Sequence, residues 1–315
     1  MKPILKWAGG KKDLLPELKK YIPPELLNGN RYIEPFIGGG ALAFDLGHKN
    51  TTISDLNSEL TNLYEAIRAY PESVISTLRV MQLHHTPEFY YEIRAMDRDP
   101  NFKNSTVADR AARTIYLNKT CFNGLYRVNS KGYFNTPIGR TTNGKMPDII
   151  QEDAIRELSK FLKTVDIKTG DYRAVVNDWK PMPGDIIFLD PPYDKGEEIE
   201  TAGFVGYQKE GWTREDLKLM KSECDYWSRL GAKIVVTNND TEFVRELFND
   251  WEIHPVDVRR SINRNGDNRK GKEVIITEDH SLMILRDGYL MRGSVKDLRD
   301  GDELLTINNM DVVIS

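Results

Sequence analysis

The apolar residues of the first sixty positions fall into short runs separated by polar and glycine-rich turns. A run at 32–33 leads into a glycine-rich segment, and a second run at 51–54 ends at Asp55. This order of strand, glycine loop, helix, strand and acidic residue is typical of the opening of an α/β unit. We predict helices over residues 11–21 and 41–46, on either side of the first strand.

From about residue 57 to residue 162 the apolar residues instead recur every three or four positions, as at Leu60, Leu63 and Ile67. This spacing places them on one face of a helix, so the block is predicted to be helical. Within the block, the segment 118–139 contains Asn-Gly, Ser-Lys-Gly and Thr-Pro, which interrupt the helical spacing. We predict a hairpin or an ordered loop there.

Short apolar runs return after the helical block, and four of them are predicted strands: 165–167, 185–189, 233–237 and 273–276. Residues 212–230 are predicted to form a helix, because Thr213 and Asp216 have nearly the spacing of a capping box. Strands separated by helices favour an α/β fold with a doubly wound, mostly parallel sheet.

Sheet segments lie on both sides of the helical block, so the block is predicted to be an insertion. We expect a sheet domain of residues 1–56 and 163–276, a helical domain of residues 57–162, and an extra β segment at 277–315. The β prediction for the last segment depends on short alternating runs and on two Asp-Gly pairs that are typical of turns.

The composition narrows the class of protein. Hydrophobic residues make up 39% and charged residues 29%, as in soluble globular proteins, and no apolar run approaches the roughly 18 residues of a membrane span. We therefore expect a cytoplasmic protein without membrane contact. Two cysteines cannot form a disulfide framework, and five scattered histidines predict no structural zinc site. The net charge of -4, taken alone, argues against a nucleic-acid partner.

The strand at 185–189 ends in a candidate catalytic turn, Asp190-Pro191-Pro192-Tyr193. An open parallel sheet places its reactive groups beyond the carboxyl ends of its strands. Prolines remove backbone donors and fix φ, so the turn is stiff and its carbonyls are free to accept hydrogen bonds. Such a turn suits a planar amine, which a carboxylate and a carbonyl can bind while the tyrosine ring stacks. The alternative is an ordinary strand end in which the aspartate caps a loop and the tyrosine packs.

The glycine loop at 38–40 provides the context for that turn. Its glycines allow a close approach of backbone to ligand, and Asp55 is placed to accept hydrogen bonds from ribose hydroxyls. The interval from Gly40 to Asp55 is 15 residues, shorter than the roughly 20 of dinucleotide sites. A plain tight turn is the alternative. Together with the Asp-Pro-Pro-Tyr turn, the loop indicates a nucleoside-bearing ligand other than NAD.

Several motifs in one order resemble those of the Dam-type (alpha group) DNA adenine-N6 methyltransferases. They are Lys6-Trp7-Ala8-Gly9-Gly10-Lys11, Glu34-Pro35-Phe36-Ile37-Gly38-Gly39-Gly40, Asn123-Gly124-Leu125-Tyr126-Arg127, Phe134-Asn135-Thr136-Pro137-Ile138-Gly139, Asp190-Pro191-Pro192-Tyr193, Phe204-Val205-Gly206-Tyr207, Arg260-Ser261-Ile262 and Gly271-Lys272-Glu273-Val274-Ile275. The match spans about residues 3 to 276. It implies a Rossmann-like methyltransferase fold, with residues 57–162 as the target-recognition domain.

The resemblance also implies a reaction, the transfer of a methyl group from S-adenosylmethionine to N6 of an adenine in double-stranded DNA, at GATC sites and without a metal. It implies that the adenine is flipped out of the duplex, that Asp190 and Pro191 bind its amine, and that Tyr193 stacks on it. The residues that would bind the cofactor are Trp7, Lys11, Phe36, Gly38, Gly40, Asp55, Asp171 and Asp190.

Two basic segments are candidate DNA contacts. Arginine binds guanine bidentately in the major groove and asparagine binds adenine, and by resemblance Arg127 is the guanine contact. The candidates in and after the predicted hairpin are Asn123, Arg127, Asn129, Lys131, Asn135 and Arg140, and those near the end of the match are Arg260 and Arg264. A solvated basic surface is the alternative for both segments. The acidic net charge is then an average over regions of unlike charge.

Other functions remain open at this level. Glutamine-modifying methyltransferases also use a Pro-Pro-Tyr turn, and a catalytically silent DNA-binding module is a second alternative. We expect a monomer or a weak dimer on DNA, in a bacterium or encoded by a phage. The tail at 277–315 weakly resembles a fragment of intein or Hedgehog-type (Hint) domains, through the Thr277-Glu278-Asp279-His280 block.

Overall fold

The structure is a computed structural model. It describes residues 1–7, 9–140, 147–196, 212–258 and 271–278 with their side chains, and only the backbone of residues 259, 270, 282–286, 289–293, 303–308 and 311–314.

The centre of the fold is a seven-stranded sheet with the order β3-β2-β1-β4-β5-β7-β6. The strands are β1 (Tyr32–Glu34), β2 (Thr51–Asp55), β3 (Val165–Thr169), β4 (Ile186–Leu189), β5 (Lys233–Asn239), β6 (Glu252–Arg259) and β7 (Lys270–Thr277). The first five strands are parallel, and β7 is antiparallel to both β5 and β6. This arrangement confirms the predicted α/β fold with a mostly parallel sheet.

Helices flank the sheet and fill the long connections. They are α1 (Leu15–Tyr21), α2 (Pro24–Leu27), α3 (Ala41–Leu46), α4 (Ser58–Ala69), α5 (Pro71–Leu83), α6 (Pro87–Ala95), α7 (Val107–Thr120), α8 (Glu152–Leu162), α9 (Tyr172–Trp179), α10 (Arg214–Arg229) and α11 (Glu242–Leu247). Short 3-10 turns lie at Met96–Arg98, Pro100–Asn104 and Phe122–Gly124.

The sheet is buried on both faces, as a doubly wound sheet requires. Side chains alternate across a strand, so the four apolar residues of β4 divide between two cores. Ile186 and Phe188 belong to the core that also contains α1, α3 and the inserted helices, whereas Ile187 and Leu189 belong to the core under α9, α10 and α11.

The inserted helices share the first of these cores with the sheet. Helix α7 packs against α4 and α5, and buried residues of α4, α7 and α8 form one continuous apolar cluster with β1 and β4. The predicted helical character of residues 57–162 is therefore confirmed. The division of the chain into separate domains stays a prediction.

The sequence pattern predicted the start of helix α10 correctly and the start of helix α1 incorrectly. Helix α10 has Thr213 as its N-cap, and the side chains and backbones of Thr213 and Asp216 make both hydrogen bonds of a capping box. The prediction of a helix from residue 11 was wrong at its start, since residues 11–14 form turns and α1 begins at Leu15, with Pro16 in its first turn.

Four elements were not predicted from the sequence: helices α2, α9 and α11 and strand β6. Helix α2 begins at Pro24, where prolines were expected to end a helix and instead begin a new one. Helix α11 was also missed. Strand β6 contains Pro255, which weakens a strand signal, but β6 is the edge of the sheet and an edge strand tolerates a missing donor.

The tail forms a second, four-stranded antiparallel sheet with the order β11-β10-β8-β9. Its strands are β8 (Leu282–Arg286), β9 (Tyr289–Gly293), β10 (Glu303–Asn308) and β11 (Asp311–Ile314). Asp279 and His280, from the block that carries the resemblance to Hint fragments, lie outside the described residues, as do the two Asp-Gly pairs predicted to form turns.

Gly40 is the N-cap of α3 and has a left-handed backbone, with φ of 70°. A Cβ atom built there would lie 2.3 Å from the ring of Phe44, one turn into the helix. Gly29 also has a positive φ, of +79°, but nothing lies within 4 Å of its Cβ position. Substituting Gly29 therefore tests the cost of the left-handed backbone alone, whereas substituting Gly40 adds the cost of steric overlap with Phe44.

We expect Gly29→Ala to lose ~1–2 kcal/mol of unfolding free energy from the left-handed backbone alone. Gly40→Ala should lose ~1–3 kcal/mol more, because its new methyl group overlaps a buried ring. Urea unfolding of both variants measures the difference. Equal losses would show that the Phe44 ring moves aside without cost.

Candidate active site

The carboxyl ends of β1, β2 and β4 open into a cleft of ≈ 1070 Å³. One wall is built by the ends of these strands. The other wall comes from the inserted block, including residues 97–103 and 126–133. The cleft lies where the strand order reverses between β1 and β4, which is the usual ligand position in an open parallel sheet.

The glycine loop after β1 borders this cleft beside Trp7. A Cβ at Gly38 would lie 2.8 Å from Cδ1 of Trp7, and a Cβ at Gly39 would lie 3.0 Å from its Cβ. The sequence interpretation explained these glycines by close approach to a ligand. In the structure the absence of a side chain at Gly38 and Gly39 allows the Trp7 side chain to pack against the loop. Trp7 and Gly38 both line the cleft.

Asp55, at the end of β2, holds the glycine loop. Its Oδ2 accepts a hydrogen bond from the backbone N of Gly38 at 3.1 Å, and its Oδ1 accepts one from Asn57 at 2.9 Å. Burial raises the pKa of Asp55 to about 6, although these hydrogen bonds act in the opposite direction. A carboxylate has about four acceptor positions, so Asp55 can still accept a ligand hydroxyl.

A second carboxyl group, Glu34, lies buried beneath the loop. Its Oε2 accepts hydrogen bonds from the Tyr32 hydroxyl at 2.8 Å and from the Ala43 backbone at 3.0 Å. Burial raises the pKa of Glu34 to about 8, and the nearby charge of Asp190 acts in the same direction. The motif that contains Glu34 was recognised in the sequence, but no role was predicted for this residue.

Asp190 is the carboxylate at the end of β4. Its Oδ1 lies 2.9 Å from the ammonium of Lys11, which is 6% exposed, and accepts a 2.7 Å hydrogen bond from Thr237 of β5. Lys11 also donates to the carbonyl of Gly9 at 2.6 Å. The structure therefore brings two predicted site residues, Lys11 and Asp190, into direct contact. Thr237 was not predicted.

Tyr193 lies three residues further along the same turn. The ammonium of Lys11 lies 4.5 Å from its ring centroid, and its hydroxyl donates to Glu273 of β7 at 3.0 Å. Burial, with the nearby charges of Asp190 and Glu273, raises the pKa of Tyr193 well above its ordinary value. No role was predicted for Glu273 beyond its place in a motif.

An aromatic cluster of Phe36, Tyr172 and Trp212 lines the same cleft. Ring centroids are 5.1 Å apart for Phe36 and Tyr172 and 5.7 Å apart for Phe36 and Trp212. Within the described part of the chain, the buried hydroxyl of Tyr172 and the buried Nε1 of Trp212 have no hydrogen-bond partner. Buried polar atoms are normally paired, so this cluster fits a ligand with an aromatic ring and polar edges.

Asp171 lies at the edge of this cluster and caps helix α9. Its Oδ1 accepts hydrogen bonds from the backbone N and the Nε of Arg173, at 3.0 and 3.2 Å. Asp171 also lines the cleft. Every predicted cofactor residue except Gly40 therefore borders one continuous space, and Gly40 lies buried at the start of α3.

The segment from Cys121 to Arg140, called the 121–140 loop, follows α7. Isolated bridges between Cys121 and Ile138 and between Val128 and Phe134 hold its two halves together. It is thus an ordered loop with hairpin pairing. Asn123 at its start has a left-handed backbone with φ of 56° and is exposed.

Two predicted DNA contacts in the loop bind each other. Nε of Arg127 donates to Oδ1 of Asn135 at 2.7 Å. Asn129 stabilises the tip, because its Oδ1 accepts from the backbone N of Lys131 at 3.0 Å and of Tyr133 at 3.1 Å. The side chains of Lys131 and Arg140 are exposed.

Helix α6 and the turn after it hold the far side of the loop. Oδ2 of Asp97 accepts from the backbone N of Phe134 at 2.7 Å and lies 2.9 Å from the buried guanidinium of Arg113. Arg98 donates to the Phe134 carbonyl at 3.1 Å. None of these residues was predicted, since charged residues on helices give no sequence signal of such a role.

Several residues of the recognised motifs and predicted DNA contacts lie outside the described part of the chain. They are Ala8, the segment 204–207, Arg260 and Arg264. In the part of the chain that the structure describes, no group of three or more His, Cys, Asp or Glu side chains could hold a metal ion. No helix in that part is long and apolar enough to cross a membrane.

Comparison with known proteins shows which family the chain resembles over most of its length. Residues 7–262 match the family described as D12 class N6 adenine-specific DNA methyltransferase. The chain is 36% identical over 280 residues to the type II methyltransferase M1.LlaDCHI of Lactococcus lactis subsp. cremoris, covering 88% of this chain and 95% of that protein. It is 36% identical over 284 residues to the type II methyltransferase M.MjaIII of Methanocaldococcus jannaschii, covering 86% and 96%.

A third relative is the DNA adenine methylase of Escherichia coli K12, 29% identical over 270 residues, covering 85% of this chain and 91% of that protein. The family match covers most of the chain and includes the glycine loop, the 121–140 loop and the Asp190 turn. The strand order and the cleft agree with it, and the chain belongs to the D12 class of N6 adenine-specific DNA methyltransferases.

Proposed function

We propose that the chain transfers a methyl group from S-adenosylmethionine to N6 of an adenine in double-stranded DNA, and that it selects GATC. The observation that supports this most directly is the position of Asp190. It lies where the strand order of the sheet reverses. The cleft at this point also contains a pocket that suits a nucleoside, and it is bordered by one side of the 121–140 loop.

The cleft fits S-adenosylmethionine by its chemistry. The unpartnered Tyr172 hydroxyl and Trp212 Nε1 suit the polar edge of an adenine ring, and Asp55 suits ribose hydroxyls. When bound, the cofactor supplies a methyl group already activated by a sulfonium. The protein therefore has mainly to align the two reactants and exclude water.

The target amine would bind at the Asp190 turn. The exocyclic nitrogen of adenine is a weak nucleophile, because its lone pair is delocalised into the ring. Hydrogen bonds from its two N–H groups to the Asp190 carboxylate and the Pro191 carbonyl would favour a tetrahedral nitrogen. The positive charge that develops on N6 during transfer is stabilised by the carboxylate, which is placed to accept the released proton.

An adenine inside a duplex cannot reach this turn, so we infer that it is flipped out. Tyr193 is the proposed stacking partner. Lys11 already covers one face of its ring at 4.5 Å, so a flipped base would stack on the other face or displace the ammonium.

We assign sequence selection to the 121–140 loop, with Arg127 as the guanine contact. Arg127 and Asn135 are paired in the free protein, so a bidentate contact to guanine requires the guanidinium to leave Asn135 or to use its remaining donors. Asn129 is assigned to the structure of the loop tip, because its side-chain oxygen already accepts two backbone hydrogen bonds.

The names of the relatives support a proposal for the biological setting. Two of them carry the name type II methyltransferase, so we propose that this chain also protects DNA from a restriction partner. The site of action would be the cytoplasm, where prokaryotic DNA lies, and the active unit a monomer or a weak dimer on DNA. A role for the tail as a Hint fragment has no support from the described strands beyond their β character.

Asp190→Asn should fold normally and lose nearly all methyl transfer, because the amide cannot stabilise the charge that develops on N6. Asp45→Asn is the matched control, since Asp45 also forms a 2.9 Å ion pair, with Lys19, but on the outer surface of α3. Transfer of labelled methyl groups to duplex DNA, with mapping of the modified adenines, measures both. An Asp190→Asn variant with normal turnover would contradict the mechanism.

Arg127→Ala should reduce the preference for GATC over a scrambled duplex by roughly 5- to 150-fold, the range for one bidentate base contact. Arg156→Ala is the control, because Arg156 is an exposed arginine of α8 that pairs with Glu72. Binding is compared on the two duplexes. An equal loss of affinity on both would assign Arg127 to phosphate rather than to guanine.

Affinity for S-adenosylhomocysteine should fall as the pH drops through about 6, the pKa of Asp55, because the protonated acid is a poorer acceptor for ribose hydroxyls. Glu34, with a pKa of about 8, stays protonated through this window. Titration calorimetry measures the affinity. Asp55→Asn should bind weakly and without this pH dependence, and an unchanged pH dependence in that variant would refute the assignment.

A further inference from the structure

Strand β5 holds the Asp190 turn from the side. Oδ1 of Asn238 accepts a hydrogen bond from the backbone N of Asp194 at 2.9 Å, and Nδ2 of Asn239 donates to the carbonyl of Asp194 at 2.6 Å. These two contacts fix the chain directly after Tyr193. They leave the direction of the Asp190 side chain to be set by a third residue of the same strand end.

That residue is Thr237. Its hydroxyl donates to Oδ1 of Asp190 at 2.7 Å, and the closest approach of Lys11, at 2.9 Å, is to the same oxygen. The Thr237 side chain also acts on Tyr193, whose pKa it lowers against the larger effect of burial. The Thr237 hydroxyl therefore lies between the two side chains of the turn that are proposed to meet the target base.

We propose that Thr237 is a positioning residue for methyl transfer, an inference that rests on the proposed function. With Thr237 and Lys11 both on Oδ1, the plane of the carboxylate is fixed, and Oδ2 is left as the oxygen that accepts the hydrogen bond from N6. Oδ1 of Asp190 then binds groups of the protein, and Oδ2 binds the substrate.

Thr237 suits this task better than Lys11 alone. A β-branched side chain has few χ1 states, and Thr237 is 0% exposed on a buried strand, so its hydroxyl has a fixed position. The lysine ammonium is at the end of a flexible stem with three rotatable donors, and it can follow the carboxylate as it turns. Without Thr237, Asp190 would keep its counter-ion and lose its orientation.

The burial of Thr237 also argues that its hydroxyl has a specific purpose. Its neighbours Ile234, Val235 and Val236 on β5 are apolar, and valine would fill the volume of Thr237 without a polar atom to satisfy. A buried hydroxyl costs free energy unless it is hydrogen-bonded, and its described bond is to Asp190.

The test compares Thr237→Val, which removes the donor at constant shape, with Thr237→Ser, which restores it. Thr51→Val is the control, because Thr51 is also a buried threonine with a hydrogen-bonded hydroxyl. Thr51 is the first residue of β2 and 4% exposed, and its hydroxyl donates to the backbone carbonyl of His48 at 2.6 Å. Single-turnover methyl transfer to a GATC duplex, KM for cofactor and DNA, and thermal stability are measured for the three variants and the wild type.

We expect Thr237→Val to slow single-turnover transfer by about 10- to 150-fold, the range for a lost hydrogen bond to a charged group, with unchanged KM values. Thr237→Ser should recover most of the rate, and Thr51→Val should keep it. If Thr237→Val does not fold, Thr237→Ala replaces it in the comparison with serine.

Three results would overturn the inference: a normal rate in the variant without a hydroxyl, an equal loss with serine, or a loss confined to KM. A wild-type protein that labels no DNA would instead refute the proposed function. The two failures are therefore distinguishable.

Discussion

A carboxylate at the end of a buried strand is unstable without partners, and the partners of Asp190 organise the site around it. Lys11 reaches it from the N-terminal segment and Thr237 from β5. Tyr193 in the same turn is held by Glu273 of β7. The site therefore forms only when segments from the beginning, the middle and the end of the sequence have assembled into one sheet. This explains why the motifs of the family are spread over nearly the whole chain.

The same N-terminal segment also connects the proposed cofactor pocket to the 121–140 loop. Trp7 packs against the glycine loop on one side and against the ring of Tyr126 on the other, with centroids 5.3 Å apart. The side-chain amide of Asn118 accepts a hydrogen bond from the backbone N of Lys6 at 2.9 Å and donates to the carbonyls of Lys6 at 2.6 Å and Gly124 at 3.0 Å. Direct contacts therefore connect the loop to the wall of the proposed cofactor pocket.

The sequence predicted those parts of the molecule that depend on local patterns. The buried strand before Asp190 and the capping box at Thr213 are such signals, and both lie where they were expected. Residues that act across strands were missed. Thr237 and Glu34 are ordinary residues in their own segments, and their contacts depend on which strands are neighbours in the sheet. That order, with β1 between β2 and β4, is set by packing over long sequence separations.

The inserted helices and the sheet share one hydrophobic core. Removing the whole insertion would expose the apolar faces of β1 and β4, and Cys121 and Phe134 of the 121–140 loop belong to the same core. Substitutions at exposed positions of the loop, such as Lys131, leave that core intact. If the loop selects the DNA sequence, new specificities in this family would arise by point changes in the loop and not by exchange of the insertion. Relatives with different target sites would then share the same helical scaffold.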